Sequence, residues 1–212
     1  MNFGKFVLIT FFVLLTCQVQ AQTTINFDDI TAPVIFANAL PLTTQYTPQG
    51  VTFSGGGAIL NQNSNFHINA VSQSNFLAFN VSSADLDGTV PNGPETFSFT
   101  NPETSVSLYA YIDSRTGGTV TLNAFDGAAL VSTNSLLNDG SSYTLLTASA
   151  SHITSAVYSF TGSSSVVDNL TFNYVAPSAS STPEPGSLAL LIGLGASGAG
   201  FLVRRRRSAC KV

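Results

Sequence analysis

Between residues 22 and 175 the chain repeats one pattern: short runs whose apolar and polar positions alternate, separated by clusters of Gly, Pro, Asn, Asp and Ser. A period of two belongs to a half-buried strand, because successive side chains point to opposite faces of a pleated backbone. The pattern predicts strands over Thr24–Ile30, Val51–Ser54, Ala58–Leu60, Asn65–Asn69, Asn75–Asn80 and Thr96–Thr100. It continues with Ser105–Ile112, Thr119–Phe125, Ala128–Thr133, Ser142–Ala148, Ile153–Phe160 and Val166–Tyr174. Gly55-Gly56-Gly57 predicts a hairpin or bulge where chain without Cβ atoms is favoured, and Asn138-Asp139-Gly140 a further turn. Asp126-Gly127 predicts a two-residue hairpin with positive φ at both central positions. No helical period competes, so the expected fold is all-β, a β-sandwich or jelly roll.

Both ends break this pattern with uninterrupted apolar runs. Lys5 precedes Phe6–Leu15, and Val19-Gln20-Ala21 supplies small residues at a cleavage site, which predicts a signal peptide over 1–21 for signal peptidase. Cys17 is a weaker alternative as a lipid anchor, because threonine precedes it. At the other end Ser187–Val203 carries no charge over 17 residues. As a helix that run spans roughly 25 Å, enough for a single transmembrane helix. Arg204, Arg205, Arg206 and Arg207 then act as a stop-transfer cluster on the cytoplasmic side, which leaves the preceding domain outside. The G-x-G-x-x-G match at Gly193–Gly198 lies inside that span, without the strand, helix and acid a dinucleotide site needs.

Pro183-Glu184-Pro185, the short span and the arginines closely resemble the PEP-CTERM sorting signal of bacterial exosortase substrates, also catalogued as an ice-binding protein C-terminal domain. The resemblance implies recognition of Pro183, Glu184 and Pro185 by an exosortase-type membrane protease and removal of the span. The protein would be anchored transiently in the inner membrane, then reach the cell surface or the exterior. The predicted organisation is therefore a signal peptide (1–21), a β-sandwich ectodomain (22–175), a Ser/Ala/Pro linker (176–182), the sorting signal (183–207) and a cytoplasmic tail (208–212). Ile25-Asn26-Phe27-Asp28-Asp29, Gly50–Ser54, Asn75–Asn80 and Val167–Phe172 are similar to sandwich domains akin to carbohydrate-binding modules. That likeness implies that the first and last strands lie together, and it transfers a fold more readily than a ligand.

Charge narrows the partners. Of 7 Lys and Arg, only Arg115 falls in the predicted ectodomain, whereas all 11 acids lie between Asp28 and Glu184. An acidic domain excludes nucleic acid as a favourable partner and is compatible with a cation. Both cysteines, Cys17 and Cys210, fall outside the predicted ectodomain, which must fold without disulfides. In the predicted first strand, Thr24–Ile30, Ile25, Phe27 and Asp29 share one face. In the last strand Val166, Asp168, Leu170 and Phe172 share one face, so Asp168 points to the apolar side. Asp28, Asp29 and Asp168 are thus candidate ligands for Ca²⁺, with two alternatives: each caps a loop through backbone N–H groups, or Arg115 pairs with one of them. Asp85-x-Asp87-Gly88 is a second calcium candidate and otherwise an Asp-Gly turn.

His67 and His152 are far apart and carry no hydrolase or metalloprotease motif, so no catalytic residue is predicted and the chain is read as a non-enzyme. Six tyrosines and no tryptophan are available to stack on sugars, and Tyr109 and Tyr111 share a strand face. Two classes of function fit: a non-catalytic structural or adhesive protein of exopolysaccharide or biofilm, and a carbohydrate-binding module recognising a polysaccharide.

Overall fold

A computed structural model describes residues 20–66, 68–80, 93–113 and 117–175. The all-β expectation holds. The described residues form nine antiparallel strands: β1 (Gln20–Ile25), β2 (Val51–Ser54), β3 (Ala58–Asn61), β4 (Asn75–Asn80), β5 (Glu95–Ile112), β6 (Gly118–Asp126), β7 (Ala129–Asn138), β8 (Thr144–Phe160) and β9 (Ser164–Val175). Hydrogen bonds join them in the order β3-β4-β9-β5-β8-β6-β7, with β1 beside β9 and β2 beside β5. Two single-turn 3-10 helices, Phe36–Asn38 and Thr47–Gln49, complete the described elements. Among the described residues no helix is long and apolar enough to cross a membrane. The predicted signal peptide, linker, Pro-Glu-Pro motif, span and arginine cluster lie outside the described residues.

Two strands are far longer than the sequence pattern predicts. β5 runs for 18 residues and β8 for 17, each covering two predicted strands. Asn101-Pro102, in the gap between the predicted strands Thr96–Thr100 and Ser105–Ile112, is absorbed as an irregularity, with register shifts between Ser98 and Glu103 and between Glu103 and Ser105. Proline has no N–H for a ladder, so a bulge accommodates it where a regular strand would not. Each half of β5 then has its own neighbour, β2 along Thr96–Phe99 and β9 along Glu103–Ile112. The first half of β8 runs along the second half of β5, and its second half lies between the first half of β5 and β6. Alternate residues of both halves, including Phe97, Leu108, Ile112, Leu146, Ile153 and Tyr158, enter one core with Ile25, Phe27, Phe53, Phe79, Leu122 and Phe172. Burying each such side chain contributes about 1.5–3 kcal/mol before the opposing chain entropy.

β4 is buried at all six positions. Leu77 and Phe79 enter the main core, while Phe76 and Ala78 enter a second cluster with Phe36, Leu60, Phe66, Tyr111 and Val166. Coverage on both faces explains why Asn-Phe-Leu-Ala-Phe-Asn lacks alternation. The same cluster corrects the predicted strand Asn65–Asn69: its described residues are turn and irregular chain, and Phe66 is apolar because it packs edge-on against Phe36 and Phe76.

β1 pairs with β9 from Gln20–Val175 to Ile25–Leu170, the juxtaposition the resemblance implies. It stops five residues before the predicted end, however, and Phe27 adopts φ 64°. That left-handed residue breaks the pleat, so Ile25, Phe27 and Asp29 do not share a strand face. The β6–β7 hairpin is also displaced by one residue: Asp126 pairs with Ala129, and Gly127-Ala128 forms the turn. Gly127 has φ 57° and Ala128 is not left-handed, which fits a turn needing glycine at its first central position only.

Candidate functional site

Asp168 and Asp28 approach one short loop from two sides. The Asp168 carboxylate is fully buried on β9. Its Oδ2 accepts the backbone N–H groups of Val71 (2.6 Å) and Ser72 (3.0 Å), and its Oδ1 accepts that of Asn169 (2.7 Å). The Ser72 hydroxyl adds a contact to Oδ1 at 3.2 Å. Burial raises the Asp168 pKa, while these donors act in the opposite sense. Asp28 Oδ1 accepts the N–H groups of Ser74 (2.9 Å) and Asn75 (3.0 Å). Asn75 returns its side-chain amide to the carbonyls of Phe27 (3.0 Å) and Ile30 (2.8 Å), tying the chain after β1 to the start of β4.

These are capping contacts. Asp29 is turned to the surface, where its Oδ1 accepts the Tyr46 hydroxyl at 2.5 Å. Burial, followed by that hydrogen bond and the Asp29 charge, drives the Tyr46 pKa well above its ordinary range. The structure thus brings two of the three calcium candidates to one loop and places the third elsewhere. No group of three or more His, Cys, Asp or Glu side chains among the described residues is arranged to hold a metal ion. Asp85, Asp87, Arg115 and His67 lie outside the described residues.

The sequence gives no warning of two further acids. Glu95 is fully buried at the start of β5, Oε2 accepting the Gly57 N–H at 2.9 Å and Oε1 having no partner. Glu103 is 3% exposed and its Oε2 is unpartnered. Burial pushes each carboxyl up to about 7. Glu95 lies two residues before the core residue Phe97, whereas Glu103 lies between two register shifts of β5 where no regular pleat places it, and a lone Glu in a Ser/Thr-rich strand looks like surface. His152 Nδ1 meets Asp126 Oδ1 at 2.8 Å at the exposed end of the β6–β7 hairpin, a surface pair remote from these acids in sequence.

The broadest chemically uniform feature is a sheet face. Across β1, β9, the second half of β5 and the first half of β8, Thr24, Thr171, Ser107 and Thr147 stand directly opposite one another. Gln22, Asn173, Ser105 and Ser149 form the next row. Their neighbours Ile25, Leu170, Phe172, Val106, Leu108 and Leu146 point into the core, so these rows point out. Thr24 and Thr171 hydroxyls lie 2.9 Å apart, and the Asn173 amide donates to Ser105 Oγ at 2.6 Å. Tyr109 continues the face one pleat along β5, opposite Leu145, which is 48% exposed.

Tyr109 and Tyr111 therefore share a strand face but not an environment. Tyr111 is 7% exposed and pairs with the Tyr143 ring at 5.8 Å in the second cluster. Tyr158 is buried against Ser165, and Tyr46 is buried as well. No charged side chain stands in either row. The exposed acids Asp29, Asp126 and Asp139 lie in loops or at a strand end, and no Lys or Arg occurs among the described residues.

Beyond the sheet, residues 181–207 match a known family pattern, the PEP-CTERM protein-sorting motif. The chain carries a PEP-CTERM sorting motif. The match contains Pro183, Glu184 and Pro185 and runs through Arg207, as the sequence reading expects. No curated protein matches the chain. Among solved structures, the K2 cleaved adhesin domain of Lys-gingipain is 13% identical with a TM-score of 0.47, over 72% of this chain and 99% of that one. The K1 adhesin domain from Porphyromonas gingivalis W83 is 6% identical with a TM-score of 0.41, over 75% and 99%. The C-terminal family 22 carbohydrate binding module of Clostridium thermocellum Xyn10B is 13% identical with a TM-score of 0.36, over 71% and 99%. Likeness this distant assigns no ligand to the PEP-CTERM chain.

Proposed function

We propose that this chain is an exported bacterial surface or extracellular-matrix protein, sorted and processed by an exosortase, whose β-sandwich-like domain serves a non-catalytic, adhesive role in exopolysaccharide or biofilm. The sorting motif at residues 181–207 supports the export route. The adhesive role rests on one observation, the charge-free face whose rows run Thr24-Thr171-Ser107-Thr147 and Gln22-Asn173-Ser105-Ser149.

Such a face fits a neutral, hydroxyl-rich polymer. Hydroxyl and amide groups exchange hydrogen bonds with sugar hydroxyls on nearly equal terms with water, so affinity per contact is low and accumulates along the polymer. The partly exposed Tyr109 ring, beside Leu145, offers an apolar platform for the C–H face of a sugar. A face without charge neither steers nor repels a neutral chain, whereas the acidic loops disfavour an anionic one.

Retention of the full-length protein on immobilised neutral polysaccharides, compared with its Tyr109→Ala variant, tests the reading. Retention that falls at least several-fold in the variant, with an unchanged melting temperature, supports it. Equal retention of the two proteins refutes the assignment of this face.

A further inference from the structure

β7 is the last strand of its sheet and pairs with β6 alone among the described residues. The molecule covers other edges with its own chain. At β3 the Leu42 N–H donates to Gly57 O and the Asn61 N–H to Pro33 O, and on β2 the Phe53 N–H donates to Thr43 O. The free edge of the first half of β8 is met by β7 side chains: the Asn134 amide donates to Thr147 O at 3.0 Å, and Ser132 Oγ accepts the Ser149 N–H at 3.2 Å. No described segment hydrogen-bonds to the outer backbone edge of β7 itself.

That edge is apolar towards both ends. Leu130, Val131, Leu136 and Leu137 are exposed, Leu137 by 84%, with Ser132-Thr133-Asn134-Ser135 between them. The strand contains no Pro and no charged residue, and its one register shift lies near the hairpin, beside Ala124 and Phe125. A long strand edge without these blunting devices is a template for another strand.

We propose that β7 docks against β7 of a second copy of this chain, antiparallel about a two-fold axis, so that two sheets join into one, independently of what the Thr/Ser face binds. Three observations choose a second copy as the occupant. A two-fold contact brings one surface against itself, and β7 is complementary to itself. Opposite residues of an antiparallel pair share a face, so the register joins positions whose numbers add to an even value. With Asn134 on the axis, Leu137 of each copy stands opposite Val131 of the other and Ser135 opposite Thr133, so apolar pairs flank a hydroxyl centre.

Charge gives the second observation. The described residues include acids but no Lys or Arg, so two copies repel one another wherever their acids meet, and β7 has none. In this register the flanking Asp139 falls opposite Ala129 of the second copy rather than opposite an acid. Size is the third. The ten residues of β7, at about 3.4 Å each on an edge about 10 Å thick, cover roughly 600–700 Å² over both copies before the overhanging leucines are added. About ten backbone hydrogen bonds would form, the usual complement of an interface. The total approaches the ~1,000 Å² of a specific contact, so the dimer is weak in solution and is favoured where the chain is concentrated.

Disulfide trapping of the full-length protein, with Cys17 and Cys210 replaced by Ser, reads the register. Asn134→Cys is expected to yield a linked dimer under mild oxidation, because facing Cα atoms of an antiparallel pair lie about 4.5–5.5 Å apart, within disulfide reach. Val131→Cys lies about 20 Å from its own symmetry mate and is expected to stay unlinked. A mixture of Thr133→Cys and Ser135→Cys proteins should link across copies while leaving Asn134 and its bond to Thr147 in place.

Sedimentation equilibrium of the full-length wild type should show a monomer–dimer equilibrium. V131E/L137E sets Glu opposite Glu at both ends and should weaken dimerisation by roughly tenfold or more, whereas V131K/L137E sets Lys opposite Glu and should restore it. Both side chains are exposed, and unchanged melting temperatures confirm that the variants fold. A wild type that stays monomeric at millimolar concentration overturns the proposal, as does a dimer that V131E/L137E leaves undiminished. Failure of both Asn134→Cys and the Thr133→Cys/Ser135→Cys mixture to link overturns it as well.

Discussion

Asp168 illustrates how a buried acid organises this molecule at the scale of one residue. Its carboxylate gathers the N–H groups of Val71, Ser72 and Asn169, so its removal strands three donors beside the core. Asp168→Ala should lower stability by about 2–4 kcal/mol in urea denaturation, with Asp168→Asn losing less because an amide oxygen still accepts. Because the caps are protein groups, millimolar Ca²⁺ should leave the melting temperature unchanged; a clear rise would favour the metal reading of Asp28, Asp29 and Asp168. Glu95 acts in the opposite sense. Its carboxyl moves from an ordinary 4.5 to about 7 in the fold, through burial that outweighs the bond from Gly57. Between those values the unfolded chain releases a proton that the folded chain keeps, so stability falls as pH rises through this window and levels off above it. The decrease from Glu95 is on the order of 3 kcal/mol, and Glu103 adds to it in the same direction. Denaturation at pH 4.5 and pH 8 measures the difference, which should shrink in Glu95→Gln.

At the scale of the element, the glycine connection between β2 and β3 is fixed by what lies beneath it; it is not the predicted hairpin, because β2 pairs with β5 and β3 with β4. A Cβ on Gly57 would stand 2.6 Å from Phe79 Cε1 and 3.0 Å from Glu95 Oε2. Gly57→Ala should therefore cost about 1–3 kcal/mol, read as a lower urea midpoint with unchanged slope. That a chain break falls at these glycines was legible in the sequence, as were most strands, because glycine clusters and a period of two are local signals, but the hairpin was not formed: the partners of β2 and β3 are distant in sequence. The lengths of β5 and β8 were not legible. A turn signal such as Asn101-Pro102 looks the same whether the chain reverses there or bulges onward, and only the partners on either side decide. The end of β1 was hidden for a related reason: Ile25 and Phe27 keep the spacing of one face, yet Phe27 reaches the core through a left-handed backbone. The candidate acids were partly legible. Asp28 and Asp168 do hold structure together, but the loop they hold, Val71–Asn75, is distant in sequence from both. Glu95 and Glu103 could be found only once the cores were assembled, and the charge-free face only once the registers were known.

For the whole molecule, the disposition of charge ties the domain to its address. Among the described residues the acids sit in loops, at strand ends and in the interior, leaving the rows across β1, β9, β5 and β8 to hydroxyls and amides. All cationic side chains except Arg115 lie in the end segments, where the sorting motif occupies residues 181–207. Replacing Pro183, Glu184 and Pro185 together by alanine should leave the protein in the membrane fraction of cells that release the wild type, as followed by fractionation and immunoblotting; unchanged release would remove those residues from the signal. The central claim is that the exported domain adheres to neutral polysaccharide through uncharged surfaces. The most direct measurement is retention of the full-length protein on neutral and anionic polysaccharide columns as salt is raised. Retention on at least one neutral column that is insensitive to salt, with exclusion from the anionic ones, is the predicted result. Retention confined to anionic columns and abolished by salt would contradict it.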